Sequence, residues 1–183
     1  MNGFSFDEEK AVNVVLFILQ KLGKVNRHLL AKILYFADQK HLIQYGRPIL
    51  GDTYIRMDYG PVPSGVYDGI KAVDSSPFGY DLFRESIKTS GKMMILPRKS
   101  PNMDVISESE IKCVNESIDE NKDLNFNQLK EKSHSLAWNN TSPNGKISIK
   151  NIALEGGTDK DMLDHIIDNI HDLELSRYYG LIG

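Results

Sequence analysis

The chain has 183 residues, 40% of them hydrophobic and 26% charged, with a formal net charge of −3. A chain of this size buries about two-thirds of its unfolded surface and needs neither metal nor disulfide to fold. The acidic balance argues against nonspecific nucleic-acid binding, and the longest apolar run, residues 11–19, falls short of the roughly 20 residues a bilayer demands. With Cys113 as the single cysteine and no secretory leader, the expected compartment is the cytoplasm, and Cys113 reads as a small buried side chain.

The charge is uneven. Residues 1–50 hold seven Lys/Arg against four Asp/Glu, while residues 151–183 hold two against seven. An acidic end of this kind fits a solvated helix face or a basic protein partner.

Ser5 followed by Glu8 has the spacing of a capping box, and opens an expected helix over 7–22 that is apolar on most sides. Gly23 stops it. Asn26 caps a second helix running to about residue 45, with Leu30, Ile33, Leu34 and Ala37 facing the core and Lys32, Asp38, Gln39 and Lys40 largely in water. Residues 53–59 alternate as a short strand, with Tyr54, Arg56 and Asp58 on its outward face. Pro61 and Pro63 are expected to end that strand, and Pro63-Ser64 to begin a helix of about ten residues carrying Val66, Tyr67, Ile70 and Val73.

Residues 85–89 and 92–96 flank Ser90-Gly91 as a hairpin. A proline-bearing loop over 97–104 precedes helices expected at 107–120, with Ser107 and Glu110 as a capping box, and at 125–133. Residues 142–157 read as turn, short strand and loop. A last helix, 158–178, is capped by Thr158 with Asp161 three residues on. The sum is a mostly helical α+β fold with a small antiparallel sheet of about three strands.

No phosphate-binding glycine loop, zinc-ligand spacing or nucleophile elbow is present in the sequence. In the last helix, Asp161, Asp164, His165, Asp168 and Asp172 share one face, with His171 at its edge and Leu163, Ile166, Ile167, Ile170 and Leu173 opposite. A divalent-ion site and a solvated acidic face both predict that pattern; the second is the plainer reading, and no metal is assigned. His134 and Trp138 follow a helix end without a nucleophile or orienting carboxylate in sequence. Trp138 is therefore expected to anchor the core, with Ser133 and His134 making local capping bonds.

Residues 7–45 also admit a helix-turn-helix reading, with Lys24, Arg27, His28 and Lys32 leading the second helix. The joining turn is no more diagnostic than that of any helical hairpin. A DNA-binding regulator is accordingly the alternative function, and nucleic acid is not an expected partner.

Residues 31–71 resemble the Panacea domain, the SocA-like antitoxin family that includes phage-associated GepA-like proteins. The matching pieces are Lys32 to Ala37 with Tyr35, Gly46 to Ile49 with Pro48, Gly51 to Tyr54 with Asp52, Tyr59 to Ser64 with Gly60, and Tyr67. His134 and Trp138 form a second, weaker marker. Gly65 departs from the pattern, where an acidic or bulky residue is expected, and implies a looser helix start. The resemblance places a Panacea domain over residues 1–143 and leaves 144–183 as an acidic extension with an amphipathic helix packed on it.

The resemblance implies an antitoxin of a bacterial or prophage toxin–antitoxin system, neutralising a cognate protein toxin by direct contact. Some relatives act as adaptors that deliver the toxin to a protease; homo-oligomers are compatible with the family. No enzymatic activity, cofactor or membrane is implied. The rigid corner offers Tyr54, Arg56, Asp58, Tyr59, Pro61, Pro63 and Tyr67 as candidate partner-binding residues, since rings and a guanidinium on a stiff backbone suit an interface.

Overall fold

In the first helix, α1 (Glu8–Leu22), every residue from Ala11 to Leu19 is buried. A helix apolar all round has to sit inside the domain. It does so, within the larger of two apolar clusters. The computed structural model describes residues 3–75, 79–91 and 93–181.

Asp7, not Ser5, caps α1: its side chain accepts from the Lys10 backbone N–H. The Ser5 hydroxyl instead accepts from Arg177 near the other end of the chain, at 2.6 Å. Gly23 ends α1 at φ 74°. A two-residue strand, β1 (Val25–Asn26), leads into α2 (Arg27–Tyr45), capped by Asn26 as expected.

The second helix lies between two separate apolar clusters. Leu30, Ile33, Leu34 and Ala37 join α1 in the larger cluster. Tyr35, Phe36 and Leu42 face a smaller one, with Tyr54, Ala137, Ile147 and Ile152. A helix packed on both sides has little wet surface, so Lys32 and Asp38 are buried at 1% and 2% exposure, contrary to expectation.

Asp38 is satisfied where it lies. Its carboxylate accepts from the backbone N–H of Ile49 and Leu50 and from the Tyr54 hydroxyl.

Next comes a hairpin, β2 (Tyr54–Met57) and β3 (Gly60–Pro63), turning at Asp58-Tyr59. The prolines therefore sit inside a strand instead of ending one. Tyr54 and Arg56 use their backbone groups on residues 144–147. The ladder to β3 thus runs through Ile55 and Met57, and Pro61 and Pro63 occupy positions whose missing N–H points away from the partner strand.

The third helix, α3 (Ser64–Ser75), starts directly from β3. Its first turn is capped from a distance: Asp52 accepts from the backbone N–H of Gly65 and Val66, from its neighbour Thr53, and from the Ser64 hydroxyl. The start is tight, and Gly65 is small because the Phe6 ring lies where its Cβ would go, 2.9 Å away.

A short helix that the sequence pattern did not reveal, α4 (Asp81–Ser86), inserts Phe83 into the large cluster. The expected hairpin follows as β4 (Ile87–Ser90) and β5 (Met94–Pro97); Lys92 lies outside the described residues. With β1 added, these make a three-stranded antiparallel sheet of order β1-β5-β4.

A single 3-10 turn, Met103–Val105, precedes α5 (Glu108–Asn121), whose Ser107/Glu110 capping box forms as predicted. Glu110 does more than cap. Its side chain is fully buried and binds Lys10 of α1 at 3.0 Å and Arg47 at 2.9 Å.

The remaining helices are α6 (Phe126–Ser133), α7 (Leu136–Asn139), α8 (Ile149–Glu155) and α9 (Lys160–Tyr178). Within 142–157, expected as turn, short strand and loop, Ile149–Glu155 form α8, capped by Ser148, and the short strand reduces to an isolated Ile55–Lys146 bridge. Asp159, not Thr158, caps α9.

Ile166 of α9 is buried in the smaller cluster, while Asp161, Asp164, Asp168 and Asp172 face solvent and Ile167 is 39% exposed. The fold is mostly helical α+β. Among the described residues no helix is long and apolar enough to cross a membrane.

Candidate functional site

The candidate residues divide into two groups once they are placed. Tyr54, Pro61 and Pro63 are buried and build the frame. The face of β2 expected to point outward is covered: Tyr54 is buried against Asp38 of α2, and Arg56 lies over the Trp138 ring. Asp58 and Tyr59 are exposed at the hairpin tip, Tyr67 is 36% exposed on α3, and Arg56 is half-buried.

Tyr59 and Tyr67 border a groove of about 200 Å³ between α2, α3 and the hairpin. Leu30, Leu34, Val62, Val66 and Ile70 give it an apolar lining, and Met57, Tyr59 and Tyr67 stand at its mouth. Tyr59 meets Phe126 edge-on, with ring centroids 5.2 Å apart, and Phe126 in turn lies 4.2 Å from His28. Phe126 is 46% exposed, so the aromatic surface extends from the hairpin onto α6.

Beyond Met57 a second concavity is bordered by Arg56, Asp58, Lys130, His134 and Trp138. Trp138 is half-buried and not in the core as expected. It stacks on His134 at 3.8 Å, with planes 9° apart, and the Arg56 guanidinium lies over its ring at 3.8 Å. Its indole N–H donates to the Met57 carbonyl, which ties the hairpin tip to α7. Arg56 also donates to the Thr141 carbonyl. The capping role expected of Ser133 and His134 is present, since both bond carbonyls of the last turn of α6.

Under the groove is Lys32, which the sequence pattern placed in water. Its ammonium donates to the Pro61 carbonyl at 2.8 Å, and among the described residues no carboxylate pairs with it. Burial pushes its pKa down to about 7. Burial, and after it the charge of Lys32, lowers His28 to about 4. His134 is lowered by burial and then by Lys130, Lys32 and Arg56.

The motif residues that are not at the groove are structural. Tyr35 is fully buried and its hydroxyl donates to Glu155 at 2.7 Å. Gly46 takes the left-handed conformation that ends α2, under the His165 ring, and Pro48 is buried beside it. Gly51 passes Ser5 so closely that a Cβ would lie 2.0 Å from the Ser5 carbonyl oxygen. Gly60 (φ 101°) faces Ser133 and Lys32, which a Cβ would strike at 2.3 and 2.8 Å. That contact locks the hairpin onto α2 and the end of α6.

Two other readings meet the geometry differently. Of the residues leading a recognition helix, Lys32 is buried and Arg27 is paired with Asp74 at 3.2 Å. Among the described residues no group of three or more His, Cys, Asp or Glu side chains is placed to hold a metal, and the acidic face of α9 is solvated. Lys32, His28, Phe126 and Lys130 are the site residues that sequence reasoning missed. A lysine embedded in the apolar run from Leu29 to Ala37 was the available signal for the first.

Compared with known proteins, the chain matches the family described as antitoxin SocA-like, Panacea domain, over residues 30–139. That span contains the hairpin, α3, α6 and most of the residues that line the two concavities. No curated protein and no solved structure matched the chain.

Proposed function

Because the chain belongs to the SocA-like antitoxin family with the Panacea domain, we propose that it is the antitoxin of a toxin–antitoxin pair and neutralises its toxin by occupying it. The observation that carries this reading is the groove. An apolar channel ringed by Met57, Tyr59, Tyr67 and Phe126, each more than a third exposed, is the surface a monomer leaves for a protein partner.

Its walls support the same reading. The hairpin is clamped by Asp52, Gly60 and the Trp138–Met57 bond, so little order is lost on binding. In this reading the protein acts by contact, with no chemical step, in the cytoplasm beside its toxin. Delivery of the captured toxin to a protease is a compatible extension of that role.

The test is co-expression with the product of the neighbouring gene. Growth arrest by that product alone, relief by this chain, and a co-purifying complex are the expected results. Neither rescue nor complex would end the proposal.

A further inference from the structure

The charge around the groove is opposite in sign to that of the molecule. Lys71 lies over the Tyr67 ring at 5.4 Å and Lys130 over the Tyr59 ring at 5.8 Å, so both stand on the groove's aromatic rim. Arg56 adjoins across Met57, and Lys32 lies beneath. None of these four cations has a carboxylate partner among the described residues. On the acidic side, Asp58 borders the second concavity, Asp68 is exposed on α3, and Asp74 is already held by Arg27. His28 and His134 are lowered first by burial and then by these neighbouring cations. On a chain of net charge −3 such a concentration is local, and it surrounds the one apolar channel with exposed aromatics described above.

We propose that the groove seats an acidic segment of the partner protein: an apolar side chain enters between α2, α3 and the hairpin, while flanking Asp or Glu carboxylates meet Lys71, Lys130 and Arg56. The partner is the toxin of the preceding reading, on which this inference rests. A volume of about 200 Å³ accommodates one or two side chains. Lys32, 1% exposed beneath the groove, adds to the rim's positive field only in its protonated form, a fraction that grows as pH falls through about 7. A nucleic-acid backbone fits less well. It needs exposed cations in a row, whereas this surface is apolar at its centre with charge at its edge.

Two binding measurements on the full chain test the proposal. The first titrates the neighbouring gene's product against the wild type, against Val66→Trp, which fills the groove, and against the double variant Lys71→Glu with Lys130→Glu. Both variants are expected to weaken binding, the charge reversal by about tenfold or more at low salt through slower association, with the loss shrinking as salt is added. The charge variant changes rim residues only, so it stands if Val66→Trp fails to fold.

The second measurement selects a random displayed peptide library against the wild type. Selected peptides are expected to carry Asp or Glu within a few residues of a bulky apolar side chain, and to lose binding to the charge variant. Unchanged binding of the gene product to both variants, or selection of basic peptides, overturns the proposal while leaving the antitoxin reading intact. Acidic peptides selected without any binding of the gene product sink that reading and keep the groove's preference. A short duplex DNA that displaces the peptides, or a self-dimer dissolved by Val66→Trp, identifies a different occupant and overturns the proposal.

Discussion

The Tyr54 hydroxyl donates to Asp38 Oδ2 at 2.9 Å in the interior, and this bond joins the hairpin of the candidate site to the central helix. Asp38 also receives the backbone N–H groups of Ile49 and Leu50, so one carboxylate positions three segments of chain. Burial pushes its pKa up to about 7, with those hydrogen bonds pulling the other way.

Asp38→Ala leaves three buried donors unpaired and is expected to cost about 3–5 kcal/mol, read by urea denaturation. Asp38→Asn keeps the acceptor for both backbone groups and is expected to cost much less. The pH dependence has a definite sign. Between the ordinary Asp range and about 7 the folded state holds a proton that the unfolded state has released, so stability falls as pH rises through that window. The Asn variant should lack that slope.

Lys32 gives the opposite slope in a different window. Its folded-state pKa of about 7 lies below the 10.5 of the unfolded chain, so between those values the unfolded state binds the extra proton and stability rises with pH. Below 7 the whole penalty of a buried charge is present. Lys32→Met keeps the stem, loses the bond to Pro61, and is expected to gain about 1–2 kcal/mol near pH 6. Thermal melts across pH 6–10 check both the gain and the vanished slope; a lowered Tm at pH 6 would contradict the account.

Gly51 and Gly157 both take positive φ, at 62° and 81°, but only the first is crowded. Gly51→Ala would drive a methyl into the Ser5 backbone and is expected to cost about 3 kcal/mol or more. Gly157→Ala meets nothing within 4 Å and is expected to cost about 1 kcal/mol, from the conformation alone. Similar losses for the two would mean that the Ser5 contact does not matter.

Glu110 governs the acid limb. Burial alone would raise its pKa, but the Ser107 N–H, Lys10 and Arg47 bring it below the ordinary range. Its contribution is therefore complete above the unfolded Glu value and is lost as pH falls through the folded one. Glu110→Ala strands Lys10 and the Ser107 N–H, and about 3 kcal/mol of destabilisation at neutral pH is expected. Glu110→Gln should flatten the stability profile below pH 5.

What could be read from sequence was whatever depended on near neighbours. The Asn26 and Ser107 caps, the stop at Gly23 and the hairpin around Ser90-Gly91 are local chemistry, and all were placed. The misses share a cause, which is tertiary contact overriding a local rule. Lys32 and Asp38 look wet until α2 is packed on both sides. Pro61 and Pro63 look like strand breakers until residues 144–147 occupy the other edge of β2. At the site, the corner was legible as rigid and aromatic; Tyr59, which alternation put on the face opposite the outward one, lies at the surface, as does Tyr67. Which face of β2 is covered was not legible, because alternation gives two faces without naming the covered one, and Tyr54, expected outward, is buried.

The position of α2 bears on how the molecule comes apart. One helix is a shared wall of both apolar clusters, so neither can open without stripping a face of the other. Loss of α8 and α9 would bare Tyr35, Phe36 and Leu42, and loss of α1 would bare Leu30, Ile33 and Leu34. The stretch carrying the family signature thus has packing partners from both before and after it in the chain. Its two flanks act as the two jaws of a vice on one rod, and the groove keeps its shape only while both are closed.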